Sequence, residues 1–257
     1  MSSSDVRKCG EEVPLRLLIL VGWSYWLWQL VRGGHLRLYV HPRFSGPVLW
    51  AAFFLATLAV FQTIRLIGAR GVRSTRLPRT RLIAYIVVLL PLVVGFALPP
   101  QGLGSGLVEH RGSFLPSDDD HTLQEQAELE SLFVSSNGRQ QVSAAQFRSL
   151  AGLLWSNPAA AIGGSVELTG FIYQAAGLPP GQFLLARYEI SCCTADATVV
   201  ACLCTLAEGQ ALPPDGWVTV QGVVSRGEYQ SQSVGLIEVE SLTTTDPPTD
   251  PYIYAHR

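Results

Sequence analysis

Three long apolar runs, at residues 14–31, 47–67 and 82–98, occupy the first hundred positions of the chain. A hydrocarbon core takes ~20 apolar residues of α-helix to cross, and backbone in lipid must satisfy its own hydrogen bonds. The runs therefore predict three transmembrane helices. The first carries Trp23, Tyr25, Trp26 and Trp28, rings that collect where hydrocarbon meets headgroups. Neither of the others contains an acid, and the third includes Pro91 and Gly95 before closing on Pro99-Pro100. Arg7 and Lys8 precede the first run as they would in a signal peptide. No small-residue cleavage site follows, so the segment is read as retained.

Charge divides the chain at the same place. Residues 1–98 hold 12 Lys/Arg against 3 Asp/Glu, and residues 99–257 hold 6 against 17. A net formal charge of −11 in the second part argues against nucleic-acid binding, which needs a basic face to displace counterions. Arg65, Arg70, Arg73, Arg76, Arg79 and Arg81 place the second connection in the cytoplasm by the positive-inside rule. With three crossings the N-terminus is then cytoplasmic and the region after Pro99 extracytoplasmic, although Arg32, Arg37 and Arg43 of the first connection pull the other way. The spans offer no ionisable relay, so the chain alone is not expected to be a transporter.

Beyond the membrane part, residues 101–106 are glycine-rich and read as flexible. Asp118, Asp119, Asp120 and His121 form a weaker cation site. A run of acids before a helix is more often its N-terminal cap, and Asp120 ahead of a helix over 123–133 fits that role. Ser143 caps a second helix over 144–155, whose Phe147, Leu150, Leu153 and Leu154 recur at helical spacing and which Asn157-Pro158 ends. From residue 163 the period becomes two. Runs at 166–173, 183–191, 198–206, 217–225 and 234–242, separated by turn residues, predict five strands. The fold class expected is α + β: three N-terminal transmembrane helices, then a soluble β-rich domain that is an OB-like five-stranded barrel with preceding helices. The boundaries fall at 1–100 for the membrane domain, 101–162 for the linker, 163–245 for the barrel and 246–257 for a Pro-rich tail.

Four of the five cysteines cluster in the barrel. Cys192 and Cys193 end the second strand, and Cys202 and Cys204 lie on the third. Side chains alternate along a strand, so Cys202 and Cys204 share a face, whereas Cys192 and Cys193 diverge unless the strand breaks there. The spacing departs from the pairs two to four residues apart of structural zinc sites. Three readings stay open: disulfide staples of the hairpin, a site for a soft or borderline ion, and thiol redox chemistry. The ion would be a divalent transition metal such as zinc, held by Cys192, Cys193, Asp196, Cys202 and Cys204, with Arg187 in support. No Ser-His-Asp or paired-carboxylate arrangement is readable, so an enzyme is not expected.

Three stretches, Val166-Glu-Leu-Thr-Gly-Phe-Ile-Tyr173, Ala186-Arg-Tyr-Glu-Ile-Ser-Cys-Cys-Thr-Ala-Asp-Ala197 and Gly216-Trp-Val-Thr-Val-Gln-Gly222, resemble the YcgQ-like membrane proteins. Tyr39-Val-His-Pro-Arg43 and Leu98-Pro-Pro-Gln-Gly-Leu-Gly-Ser105 extend the resemblance over the first part. These are uncharacterised bacterial proteins regarded as subunits of a two-component permease. The resemblance implies a non-transporting accessory subunit in the bacterial plasma membrane, working beside a separate multi-span permease. It supplies no catalytic residues. It draws attention to Arg187, Cys192, Cys193, Ala195, Asp196 and Ala197 and leaves Cys202 and Cys204 outside its motif.

Overall fold

A computed structural model describes residues 12–68, 79–110, 140–207, 212–213 and 216–254, in two units, Met1–Gln101 and Gly102–Arg257. The first contains the helices α1 (Glu12–Arg32), α2 (Ser45–Gly68) and α3 (Arg79–Ala97), with single 3-10 turns at His35–Leu38 and Pro42–Phe44 between the first two. Small residues let these helices approach. A methyl on Gly22 would lie 2.6 Å from Leu92, and one on Gly95 2.8 Å from the Trp26 ring. Ser24 donates across the α1–α2 contact to the Ala52 carbonyl at 2.9 Å, and the Trp23 indole donates to the Val88 carbonyl at 3.3 Å.

The expectation of three transmembrane helices is corrected. Among the described residues only Pro42–Ile67 is both long and apolar enough to cross a membrane. The apolar part of α3 is Ile83–Ala97. At ~1.5 Å per residue it covers roughly 22 Å, short of a ~30 Å hydrocarbon core. Helix α1 has the length, at 21 residues, but Arg16, Ser24, Gln29 and its indole and phenol rings dilute its apolar content. All three helices expose apolar side chains, with the largest values on α2, where Trp50, Phe54 and Ile67 are 77%, 64% and 76% exposed. An apolar surface of that extent signals a lipid or protein neighbour.

The second unit is built on the five-stranded barrel. Strand β1 (Gln140–Gln141) precedes it; β2 (Ser165–Tyr173), β3 (Gln182–Ile190), β4 (Thr198–Leu206), β5 (Trp217–Tyr229) and β6 (Gln232–Thr245) form it; β7 (Tyr252–Tyr254) follows. The order β2-β5-β6-β4-β3, closed by β2 against β3, has every pair antiparallel except β4 with β6. That is the connectivity of a five-stranded Greek-key barrel of OB type. The last two strands run further than their composition predicts, because Gln230 and Ser231, both left-handed at φ 49° and 66°, make a two-residue turn that keeps the arms paired up to Tyr229 and Gln232.

The helix predicted after Ser143 is α4 (Ala144–Ser156), with a reciprocal capping box between Ser143 and Gln146. It lays Phe147, Leu150, Leu153 and Leu154, all fully buried, on the barrel. Each contributes about 1.5–3 kcal/mol by leaving water. Gly235 makes room for Leu154, and the Trp155 indole donates to the Ala201 carbonyl at 2.7 Å. The glycine-rich stretch after Gln101 is tied down where sequence alone reads flexibility. The Tyr252 hydroxyl accepts from the Leu103 amide at 3.0 Å, the Tyr188 hydroxyl donates to the Gly104 carbonyl at 2.8 Å, and Val108 enters the core.

The register of β5 on β6 shifts at a bulge between Gln221 and Gly222, where a Cβ on Gly222 would stand 2.2 Å from the Glu238 carbonyl oxygen. Backbone cannot yield there as a side-chain tip would. Gly222→Ala is expected to cost about 3 kcal/mol, read as a lowered midpoint in chemical denaturation followed by tryptophan fluorescence.

Candidate metal centre

Strand β3 ends at Ile190 and β4 begins at Thr198, joined by a corner containing one 3-10 turn, Thr194–Asp196. Asp196 organises it. Its Oδ1 accepts from the Ser191 amide at 3.2 Å and its Oδ2 from the Cys192 amide at 2.8 Å, while its own amide donates to the Cys193 carbonyl at 3.1 Å. A short carboxylate that bonds nearby amides is what makes aspartate a turn former. The consequence for the thiols is direct. The strand breaks before Cys192, so the two adjacent side chains converge with their Sγ atoms 3.7 Å apart.

One donor atom from each of Cys192, Cys193 and Asp196 lies within 4.8 Å of the others, on a surface where Cys192 and Asp196 are exposed. Two thiolates bound ~2.3 Å from a tetrahedral zinc stand roughly 3.8 Å apart. The sulfur pair is therefore already at a coordinating separation.

Electrostatics within the corner favours the protonated thiol. A hydrogen bond to Asp196, a second to Cys193 and the negative charge of Asp196 push Cys192 up to about 11. Partial burial works to raise the Asp196 carboxyl, but its bonds from the Cys192 thiol and from the amides of Cys192, Ser191 and Cys193 outweigh it and hold the group below its ordinary value.

Cys202 and Cys204 do not join this group. Cys202 pairs with Leu185 and Cys204 with Phe183, both fully buried, so Cys202 sits opposite a residue seven positions before Cys192, roughly 20 Å along the strand. Burial pushes Cys202 up to about 12 and raises Cys204 well above its ordinary value. They are core residues, and a four-thiolate site is ruled out by register. All four of these cysteines are free. Asp118, Asp119, Asp120 and His121 lie outside the described residues.

Arg187 is 5% exposed on β3, its guanidinium 5.4 Å from the Trp217 ring centroid and 5.9 Å from that of Phe147, with Nε lacking a hydrogen-bond partner among the described residues. Burial brings it down to about 10 against the opposing pull of Asp250. Two residues along β3, buried Glu189 bonds Arg148 of α4. Sequence cannot find that partner, because only the docking of α4 brings Arg148 to β3. Arg187 thus supports the fold between two rings and does not reach the corner.

The fold and corner define a class: an OB-type barrel following a helical unit, with an exposed dithiol–carboxylate turn at the end of its second strand. Residues 15–113 match the DUF1980 N-terminal domain and residues 117–255 the DUF1980 C-terminal domain, and the chain belongs to this family. It is similar to the UPF0703 protein YcgQ of Bacillus subtilis (strain 168), with 24% identity over 280 residues that cover 93% of this chain and 98% of that protein.

Asp196→Asn keeps an acceptor for the corner amides but removes the charge that protects the Cys192 proton. The thiol then falls toward its ordinary range, and thiolate, the reactive form, becomes more abundant at pH 8. The gain in thiolate outweighs its lower nucleophilicity. Alkylation of Cys192 by iodoacetamide is expected to quicken about tenfold, with Cys202 and Cys204 unmodified until the barrel unfolds, both followed by peptide mass spectrometry.

Proposed function

We propose that the protein is the accessory, non-transporting subunit of a separate multi-span permease, held in the bilayer by α2, and that its barrel presents a thiophilic divalent cation at Cys192, Cys193 and Asp196. The observation that carries the reading is the convergence of those three donors within 4.8 Å on an exposed turn. Sulfur ligands select zinc-like or softer ions over magnesium or calcium. Anchoring rests on the exposed apolar surface of α2, which water does not tolerate and lipid does. The need for a partner follows from the same helix: between Pro47 and Ile64 it carries no ionisable side chain, so a cation path belongs to another chain.

A rival reading draws on the 3.7 Å between the two sulfurs. Closure to the ~2.05 Å of a disulfide would make the pair a staple or a redox couple, and the domain a structural or thiol-exchange module.

The full chain, purified in detergent without chelator, separates these readings by elemental analysis beside a free-thiol count. About one zinc per chain with reduced Cys192 and Cys193 is expected, and its loss in Cys192→Ser/Cys193→Ser. Metal-free protein with the pair oxidised would replace the metal reading by its rival. Because binding displaces thiol protons, apparent zinc affinity is expected to fall as pH drops from 8 to 6, by up to roughly a hundredfold per unit if both thiols release one. Alkaline carbonate should leave the chain in the membrane pellet.

A further inference from the structure

We propose that the groove between α1 and α2 holds one anionic phospholipid, with an acyl chain along the helices and the phosphate at the basic connection that joins them; the inference rests on the anchoring of α2 in the bilayer. The groove has a volume of about 430 Å³, and its lining runs from Trp28 and Leu49, beside the connection, to Val21 and Thr63. From Leu49 to Thr63 a helix rises roughly 21 Å, enough to take a chain across half of a ~30 Å hydrocarbon core. The polar groups of the lining are engaged within the helices. Ser24 donates to the Ala52 carbonyl at 2.9 Å, Thr63 donates to the Ala59 carbonyl at 2.9 Å, and the Tyr25 hydroxyl accepts from Gln29 at 2.7 Å. Such a wall suits methylenes and not a polar ligand. The small residues that would seat a partner helix, Ala52 and Ala59, are already buried.

The end of the groove beside the connection is cationic. Arg32, His35, Arg37 and Arg43 are exposed there, and no acid occurs between Glu12 and Glu109. Trp28 belongs to both places: it lines the groove, and the Arg32 guanidinium lies 4.9 Å from its ring centroid. Arg43 lies 4.9 Å from the Phe44 centroid. Stacking on a ring fixes a guanidinium by its face, and the N–H fork in its plane is the geometry that matches phosphate. Exposed Trp28, Tyr39 and Trp50 set the depth, since such rings gather at the headgroup level where lipid phosphate lies. Basic pockets between membrane helices bind anionic head groups.

The full chain in detergent is titrated with phosphatidylglycerol and, separately, with phosphatidylcholine of the same chains, and bound lipid is counted by native mass spectrometry. About one phosphatidylglycerol per chain is expected, with phosphatidylcholine held roughly tenfold more weakly or worse. Arg32→Gln/Arg43→Gln should erase that preference and weaken phosphatidylglycerol roughly thirtyfold. Ala56 lines the groove half-buried, so Ala56→Leu should fill it and displace both lipids. Cys192→Ser/Cys193→Ser should bind lipid as wild type does. Lipid-free melting curves control for the folding of each variant. Equal affinity for the two lipids, or wild-type binding in either the arginine or the Ala56 variant, would overturn the site while α2 remains the anchor. Release of the chain from membranes by alkaline carbonate would sink the anchor and the site together.

Discussion

The barrel closes through three residue pairs between β2 and β3, Phe171 with Ala186, Ile172 with Leu185 and Tyr173 with Leu184. A seam so short needs the two backbones close together, and Gly170 permits it: a Cβ there would lie 2.8 Å from the Ala186 carbonyl oxygen. Past Ala186, β3 parts from β2, and its last three residues pair with β7 instead. The strand thus belongs to the barrel at one end and to the C-terminal segment at the other. The corner that follows stands clear of the barrel seam, on a turn held by Asp196 and not by the sheet.

Polar burial around β3 follows from the same arrangement. Glu189 is satisfied by Arg148 from α4, and Arg187 rests between the faces of Phe147 and Trp217. Asp196 is held instead by the amides of its own corner and by the Cys192 thiol. Removing one partner of a buried ion pair strands the other without water, so Arg148 and Glu189 are coupled to the docking of α4 as firmly as its leucines are.

Much of this was legible in the residues. Alternation over Val166–Thr169 followed by the β-forming Phe171-Ile-Tyr173, and Ser143 with Gln146 ahead of an apolar helical face, place strand and helix within a residue or two of their structural bounds. What the chain does not advertise is whatever depends on pairing partners. Tyr252–Tyr254 is three residues between prolines and the chain end, too short to show a period, and is a strand because β3 has a free edge there. The separation of Cys202 and Cys204 from Cys192 is a matter of hairpin register, while the need for a strand break at Cys192 was readable from alternation alone. In the first unit apolar length is visible at all three runs, but α1 and α3 fall short once their polar residues and true apolar extent are weighed.

Cys202 and Cys204 are sealed only when β4 has found both β3 and β6, and β6 begins 26 residues after β4 ends. Until then four thiols share a stretch of thirteen residues, with nothing in the local chain to keep the inner pair from the outer. Non-local pairing of this kind is slow compared with the collapse of a local turn. The thiol state of a newly made molecule is therefore settled by a race: a chain that closes its barrel first keeps the outer pair for chemistry, and one that meets an oxidant first is locked into cross-links that the finished barrel has no room to hold.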